Sequence, residues 1–216
     1  MNMIVVIDTS TAAVSVAVAR VDGAGVEVLA ERSTVDARAH GELVAPSLAA
    51  VLEGAGVKQA QLQAVVAGLG PGPFTGLRVG LVTAAVLGQT LGIPTYGVCS
   101  LDGIGALTSG SVLVATDARR KEVYWAAYRD GVRTDGPYVA KPADLELAGF
   151  EAAAGAGAQL YALDLPLLDL NYPSPLALAE QAAQRVRAGA PTETLTPLYL
   201  RRPDAVEPGT PKAVLR

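Results

Sequence analysis

The 216-residue sequence contains a single cysteine, Cys99, and a single histidine, His40. One thiol excludes an intrachain disulfide and any zinc cluster built from thiolates. Cys99 and His40 lie far apart in sequence. A nucleophile–base pair stays open on that ground, beside the ordinary reading of a lone cysteine as a buried apolar group. Aromatic residues make up only 5% of the chain; Ala, Val, Leu and Gly fill their place, a composition suited to helices packed closely on sheets. Positive charge is also scarce, with 17 Lys and Arg against 21 Asp and Glu, a net charge of −4 and a sequence pI near 5.0. A domain that grips nucleic acid unaided carries a basic stripe, because phosphate contacts dominate that affinity. The sequence has none, so RNA, if it is a substrate, is held mainly by something else. Long apolar runs are missing too: the weakly polar stretch Val79–Leu91 contains Thr83, Gln89 and Thr90 and is shorter than the ~20 residues of a membrane span. The chain enters a strand within three residues of Met1 without a charged leader. It therefore reads as a cytoplasmic protein with neither signal peptide nor membrane association.

Half of the residues are hydrophobic and 18% are charged, the balance of a globular chain. The length suits one large domain or two small ones. A repeated pattern bears on that choice. An apolar run ends in an aspartate at Met3–Asp8 and resumes at Val14–Val18; the same happens at Val112–Asp117 and Val123–Tyr128. In both copies the second run begins six residues after the aspartate. Such runs around a short polar connection predict strand–turn–strand hairpins. One hairpin per half points to two similar lobes, although two short hairpins can also match by chance.

Val26–Arg32 reads as a third strand. Val44, Leu48, Val51 and Leu52 form an i, i+4, i+7, i+8 stripe over a helix from His40 to Leu52. Pro46 falls inside that window and moves the expected start as late as Ala45. Leu62–Gly68 predicts a short strand. Thr75–Leu91 predicts a second helix ended by Gly92 and Pro94. Residues 101–108 predict a short helix, and Tyr138–Gly157 carries little signal beyond Gly149, Gly155 and Gly157 as loop markers. Ser174-Pro175 is a helix start, with Ser as N-cap and Pro at the first helical position; that helix runs to about Arg187 with Leu176, Ala179, Ala183 and Val186 inward. Leu198–Arg201 predicts a last strand. The organisation expected is an N-terminal lobe over 1–100, a C-terminal lobe over 101–205 and a flexible tail over 206–216.

The segment Gly68–Gly80 links the fourth strand to the second helix. Glycines there can expose backbone amides to an anion at a helix N-terminus. Pro71 and Pro73 remove two of those amides and there is no P-loop Lys-Ser/Thr pair, so a rigid turn is the competing reading. In the helix that follows, Gly76, Gly80, Ala84 and Gly88 recur every four residues. They form a ridge almost without side chains, suited to close helix packing. Leu77, Leu81 and Leu91 on the other face can serve the core. The ridge is therefore expected to face another subunit, with packing on the chain's own sheet as the alternative.

Ile7-Asp8-Thr9-Ser10, Gly70-Pro71-Gly72-Pro73-Phe74-Thr75-Gly76-Leu77-Arg78-Val79-Gly80, Asp117-Ala118-Arg119 with Glu122–Ala126, and Pro197-Leu198-Tyr199-Leu200-Arg201 occur in order. Together they closely resemble the bacterial TsaB (YeaZ) family, accessory subunits in threonylcarbamoyladenosine synthesis. The resemblance implies an α/β, two-lobed actin/Hsp70/sugar-kinase-like (ASKHA) fold with duplicated ribonuclease-H-like lobes. It implies a scaffold that binds the paralogous TsaD, and with it the ATPase TsaE. TsaD transfers threonylcarbamoyl to N6 of the adenosine beside the anticodon of ANN-decoding tRNAs. The chain itself is expected not to be an enzyme. It would meet tRNA only through the complex, form a homodimer when alone, and leave ATP and metal to its partners. The expected partner interface comprises His40, Leu43, Val44, Ser47, Leu48, Phe74, Gly76, Arg78, Gly80, Thr83 and Ala84.

The residues support the non-catalytic reading independently. Active members of the superfamily that the resemblance implies need phosphate loops rich in Gly, Ser and Thr and a glycine-rich adenine site. Here the first turn, Asp8-Thr9-Ser10-Thr11-Ala12-Ala13, and the second, Asp117 to Glu122, both lack glycine. Asp8, Thr9, Ser10 and Asp117 therefore read as degenerate nucleotide-loop positions, and Gly155-Ala156-Gly157, followed by an apolar strand, as the only candidate adenine loop. His40 with Glu42 offers too few ligands for a metal. The competing function is a nucleotide-binding ATPase or kinase of the same fold. A metallopeptidase finds no nucleophile–base pair or metal site to support it.

Overall fold

The first apolar run forms β1 (Asn2–Asp8), which pairs antiparallel with β2 (Ala13–Val21), and β2 pairs antiparallel with β3 (Val26–Val35). The structure is a computed structural model that describes residues 1–201; residues 202–205 of the expected C-terminal lobe and the tail 206–216 lie outside the described residues. After α1 (His40–Gly54) the chain returns as β4 (Ala64–Gly68), parallel to β1. It then crosses through α2 (Phe74–Leu91) to β5 (Thr95–Val98), parallel to β4. The short α3 (Asp102–Gly105) leads into a second sheet. There β6 (Ser111–Asp117), β7 (Val123–Arg129) and β8 (Val132–Ala140) form an antiparallel meander, and β9 (Ala152–Ala154) joins β6 in parallel. α4 (Ala156–Leu160) and α5 (Pro175–Ala188) follow. The strand orders are β3-β2-β1-β4-β5 and β8-β7-β6-β9. The second repeats the first without its last strand, so the two aspartate hairpins head two copies of one topology.

The uninterrupted apolar character of β1 and β4 follows from burial on both faces. On one face, Val5, Ile7, Val14, Val16, Val18, Val65 and Ala67 meet α1 and α2 through Val44, Val51, Leu77, Leu81, Ala84 and Leu87. On the other, Ile4, Val6, Ala19, Val66 and Tyr96 meet Leu178, Ala179, Ala182 and Val186 of α5. A helix from the second half of the chain thus covers the first sheet. The second sheet packs Val112, Val114, Ala126 and Tyr128 against Leu101 and Ile104, and Leu113, Ala115 and Ala153 against Ala158 and Leu163.

Several element boundaries differ from expectation for identifiable reasons. α1 starts at His40, the first residue of the expected window, keeps Pro46 inside and runs on to Gly54. Buried His40 and Val44 hold its first turn, while Pro46 is exposed, so water can satisfy the carbonyl that its missing amide leaves free. Residues 101–108 form only one α-turn, because Gly103, Leu107 and Thr108 donate to carbonyls three residues back, the tighter 3₁₀ pattern. Leu198–Arg201 forms no ladder: Pro197 has no amide, and Leu198 donates singly to the Leu69 carbonyl. Gly155-Ala156-Gly157 leads into a helix rather than a strand. Ser174 caps α5 as expected, its side chain accepting from the Ala177 amide, but Leu178 rather than half-buried Leu176 is the main apolar anchor. Leu178 is fully buried between α5, Gly103 and the first sheet. Leu178→Ala should therefore lower the unfolding free energy by about 2–5 kcal/mol, read as a shift in the urea midpoint without loss of cooperativity.

Candidate functional site

The loop after β1 carries polar residues that are nearly all buried: Asp8, Thr9 and Ser10 are each 1% exposed. The Asp8 carboxylate accepts bonds from the Ser10 amide at 3.0 Å, the Ser10 hydroxyl at 2.8 Å and the Ser100 hydroxyl. Burial raises its pKa above 3.8, opposed by the bonds from Ser100 and Ser10 and by the nearby His40. Asp8 also rests on bare backbone, since a Cβ on Gly68 would lie 1.8 Å from its Oδ2. Thr9 reaches in the opposite direction, into α2. Its hydroxyl donates to the Gly76 carbonyl at 2.8 Å and accepts from the Gly80 amide at 3.0 Å, two groups one helical turn apart. His40 Nε2 bonds the Thr11 carbonyl at 2.7 Å and lies 3.2 Å from where a Gly76 Cβ would be. The small-residue ridge is therefore filled from inside: Gly80 by Thr9, Gly76 by Thr9 and His40, Gly88 by Thr95, while Ala84 is fully buried in the first core.

That packing corrects the expectation that the ridge is free for another subunit. Among the expected interface residues, His40, Val44, Ser47, Gly80 and Ala84 lie in the chain's own interior, and Gly76 is half-buried under His40. Leu43, Leu48 and Thr83 are half-buried; Phe74 and Arg78 are exposed. The outward face of α2 adds Val82 at 60% and Val86 at 56% exposure, beside Phe74 at 46%. Both valines escaped the sequence reading, although a helix apolar on all sides was the available signal. α2 is also the one described helix with the length and apolarity of a membrane span, 18 residues with mean hydropathy 1.3. Its Leu77, Leu81 and Leu87 are packed on the first sheet.

The segment after α5 runs across both sheets. Glu193 donates its amide to the Thr95 carbonyl at 2.8 Å and accepts the Gly97 amide on its carboxylate at 3.0 Å. Burial pushes the Glu193 carboxyl upward, but Arg185 and the Gly97 amide outweigh it and leave its pKa below the ordinary value. Further on, Tyr199 stacks on Phe74 with ring centroids 5.1 Å apart and accepts a 2.9 Å bond from Arg78 Nε. The Arg78 guanidinium lies 3.9 Å from the Phe74 ring centre. Arg201 donates to the Ala118 carbonyl at 3.0 Å and pairs with Glu122. The Gly-Pro-rich motif and the Pro197–Arg201 motif, distant in sequence, are thus one structure.

Between the two aspartate turns little space remains. Gly72 lies on the Ser10 carbonyl, where a Cβ would come within 2.2 Å, and the Tyr124 hydroxyl approaches the Gly72 carbonyl at 3.5 Å. This arrangement makes Gly70–Pro73 a plug between the halves, favouring the rigid-turn reading over the anion cradle. Gly155 and Gly157 press on the β6 backbone, where Cβ atoms would lie 2.1 Å from the Ala115 oxygen and 2.6 Å from the Thr116 carbonyl carbon. Among the described residues, a cavity lined by Thr11, Ala12, Pro73, Thr116, Asp117, Arg119, Ala156 and Tyr172 measures about 60 Å³, against ~300 Å³ or more for ordinary ligand sites. Asp117 accepts from the Arg119 amide at 2.9 Å and from the Tyr161 hydroxyl at 3.1 Å. The Cys99 thiol, buried among apolar groups, is pushed up to about 11, far from a reactive thiolate. Among the described residues no three His, Cys, Asp or Glu side chains are placed to hold a metal.

A family model described as TsaD, tRNA N6-adenosine threonylcarbamoyltransferase, matches residues 27–194. A Mycobacterium tuberculosis protein is 50% identical over 204 residues, 94% of this chain and 94% of its own length. The tRNA threonylcarbamoyladenosine biosynthesis protein TsaB of Escherichia coli is 35% identical over 137 residues, 58% of this chain. The chain spans 54% of that relative's length and 56% of a similar Mycobacterium leprae protein. The solved structure of YeaZ from Pseudomonas aeruginosa superposes with a TM-score of 0.76 and 26% identity, covering 93% of this chain and 100% of that one.

Two measurements probe the buried loop. Ala84→Leu forces a larger side chain into the first core, and we expect a loss of about 1–3 kcal/mol; an unchanged melting temperature would place the ridge outside. Asp8→Asn addresses the carboxylate. Burial raises its folded pKa above the unfolded 3.8, so the folded state holds the proton more tightly. Its contribution to stability is therefore full below 3.8 and is lost as pH rises through the folded value. The stability difference between the native chain and Asp8→Asn should shift against the native chain from acid to neutral pH in urea titrations. A constant difference would mean that Asp8 does not titrate in this way.

Proposed function

The chain belongs to the TsaB (YeaZ) family, and from that membership we propose that it is a non-catalytic subunit that docks TsaD through the outward face of α1 and α2. In that role it supports transfer of threonylcarbamoyl to N6 of the adenosine beside the anticodon of ANN-decoding tRNAs, with TsaE joining the pair. The observation that carries this reading is the two-faced α2: one face is packed on the first sheet, while Val82, Val86 and Phe74 stand exposed on the other. An apolar face of that kind on a helix already fully seated is a docking surface. The cleft of about 60 Å³ between the aspartate turns supports leaving ATP and metal to the partner subunits, and the reaction to TsaD. Alone, the chain pairs with a second copy through the same face, since two copies of one fold can imitate a heterodimer of paralogues. A cytoplasmic location follows from that role.

Reconstitution tests the reading. The chain should co-elute with TsaD and be required for threonylcarbamoyl transfer when TsaD, TsaE, the adenylate and tRNA are supplied, while having no transferase activity alone. Tight magnesium-dependent ATP binding by the isolated chain in calorimetry would instead support an ATPase or kinase. Val82→Glu and Val86→Glu place a charge in the proposed interface. Each should leave unfolding within about 0.5 kcal/mol of the native chain. Each should weaken TsaD binding by about 2–5 kcal/mol, roughly 30-fold or more in Kd. Normal co-elution of both variants would remove this face from the interface.

A further inference from the structure

We propose that the tip of the second hairpin, Arg119-Arg120-Lys121 backed by Arg201, is a phosphate-backbone contact for tRNA in the assembled complex. The inference rests on the functional reading above and adds to it a part of the surface that partner docking does not use. Arg119–Lys121 is the one run of three consecutive cations among the 17 Lys and Arg of the sequence, and all three residues are exposed.

The two aspartate turns allow an internal comparison. Both join the first two antiparallel strands of their sheet, with Asp8 opposite Ser15 and Asp117 opposite Val123; the first, Thr9–Ala12, is uncharged and has no positive φ. In the second, Arg119, Arg120 and Lys121 take φ values of 61°, 52° and 62°. The left-handed region disfavours L-residues other than Gly, Asn and Asp. The first half reverses without it, with one more residue between the paired positions. What the left-handed turn adds is a tight tip made of three exposed cationic residues.

The surrounding contacts hold that tip in shape. Ala118 donates to the Glu122 carbonyl and Glu122 to the Arg119 carbonyl, both at 2.9 Å. Arg201 bonds the Ala118 carbonyl and pairs with Glu122, so the turn's second acid already has a cation. Asp117 accepts the Arg119 amide and the Tyr161 hydroxyl. The Arg119 guanidinium is 3.6 Å from Asp117 with its side chain 55% exposed, a surface pairing weak enough for a phosphate to compete with. Position supports the same conclusion. Arg201 lies two residues beyond Tyr199, which packs on Phe74 and Arg78 at the start of α2. That separation spans at most about 7 Å of backbone, and Arg201 bonds the Ala118 carbonyl, so the same strap ties the cationic turn to the start of α2. With a net charge of −4, the chain alone binds RNA weakly, and a few phosphate contacts count only once the partner supplies the rest.

The test compares the native chain with the triple variant Arg119→Asn, Arg120→Asn, Lys121→Asn, because Asn tolerates the left-handed backbone and so preserves the turn. Each is purified in complex with TsaD, and binding of a tRNA transcript is measured between about 50 and 200 mM salt. We expect the variant to lose about 10-fold or more in affinity at low salt. The slope of log K against log salt should become shallower by about 0.7–0.9 for each lost contact, similarly for different tRNA sequences. Melting temperature and TsaD co-elution should not change. Unchanged affinity and slope with the complex intact would overturn the proposal, and so would loss of TsaD or TsaE association, which would make the tip a protein contact. If the native chain itself fails to co-elute with TsaD, it is the docking reading that fails. The tip is then judged by the same salt slopes on the isolated chain.

Discussion

The Thr9 hydroxyl, bonded to the Gly76 carbonyl and the Gly80 amide, is the contact on which the first half of the molecule depends. It requires α2 to offer bare backbone at two positions one turn apart. It also requires the β1–β2 turn to project a short side chain with both a donor and an acceptor. Glycine in a helix interior costs about 1 kcal/mol relative to alanine, and here the compensation is a buried, hydrogen-bonded junction between helix and turn. His40 on the Thr11 carbonyl and Gly72 on the Ser10 carbonyl extend the same junction to α1 and to the Gly-Pro loop. Three segments meet on one turn.

That junction also closes off the end of β1. In an open two-lobed fold the ends of β1 and β6 would face a ligand. Here the end of β1 is occupied by the chain's own helix and loop, and Asp8 is enclosed by Ser10, Ser100 and the Gly68 backbone. Asp8 is only 1% exposed, its carboxylate held by two hydroxyls and an amide. Among the described residues, an apolar helix face and a cationic turn are exposed instead.

The segment after α5 makes these surfaces neighbours. It bonds the edge of β5 through Glu193, meets the Gly-Pro loop through Leu198, covers Phe74 and Arg78 with Tyr199 and reaches the second hairpin through Arg201. Twelve residues without a helix or ladder are held because side chains and single amides satisfy them at each step, from Ala190 to Arg201. Through this strap the start of α2 and the tip of the second sheet are mechanically one piece.

Local chemistry determined much of this from the sequence. The aspartate hairpins, the Gly92 stop of α2 and the Ser174-Pro175 start of α5 were legible because β-branched runs, left-handed glycine and an N-cap act within a few residues. The motifs of the TsaB resemblance were legible for the same reason: each is a contiguous stretch. Which way α2 faces was not. Its ridge and its valines are both compatible with burial, and only the position of Thr9, 67 residues away from Gly76 in sequence, decides between them. The sequence placed α1 from His40 but left its start open as far as Ala45; the buried contact of His40 to Thr11 fixes it at His40. The pairing of Tyr199 with Phe74 and Arg78, and of Arg201 with the second turn, likewise depends on where the strap crosses. Sequence patterns encode periodicity along one chain segment; the choice between two apolar faces is made by which segment arrives to cover one of them.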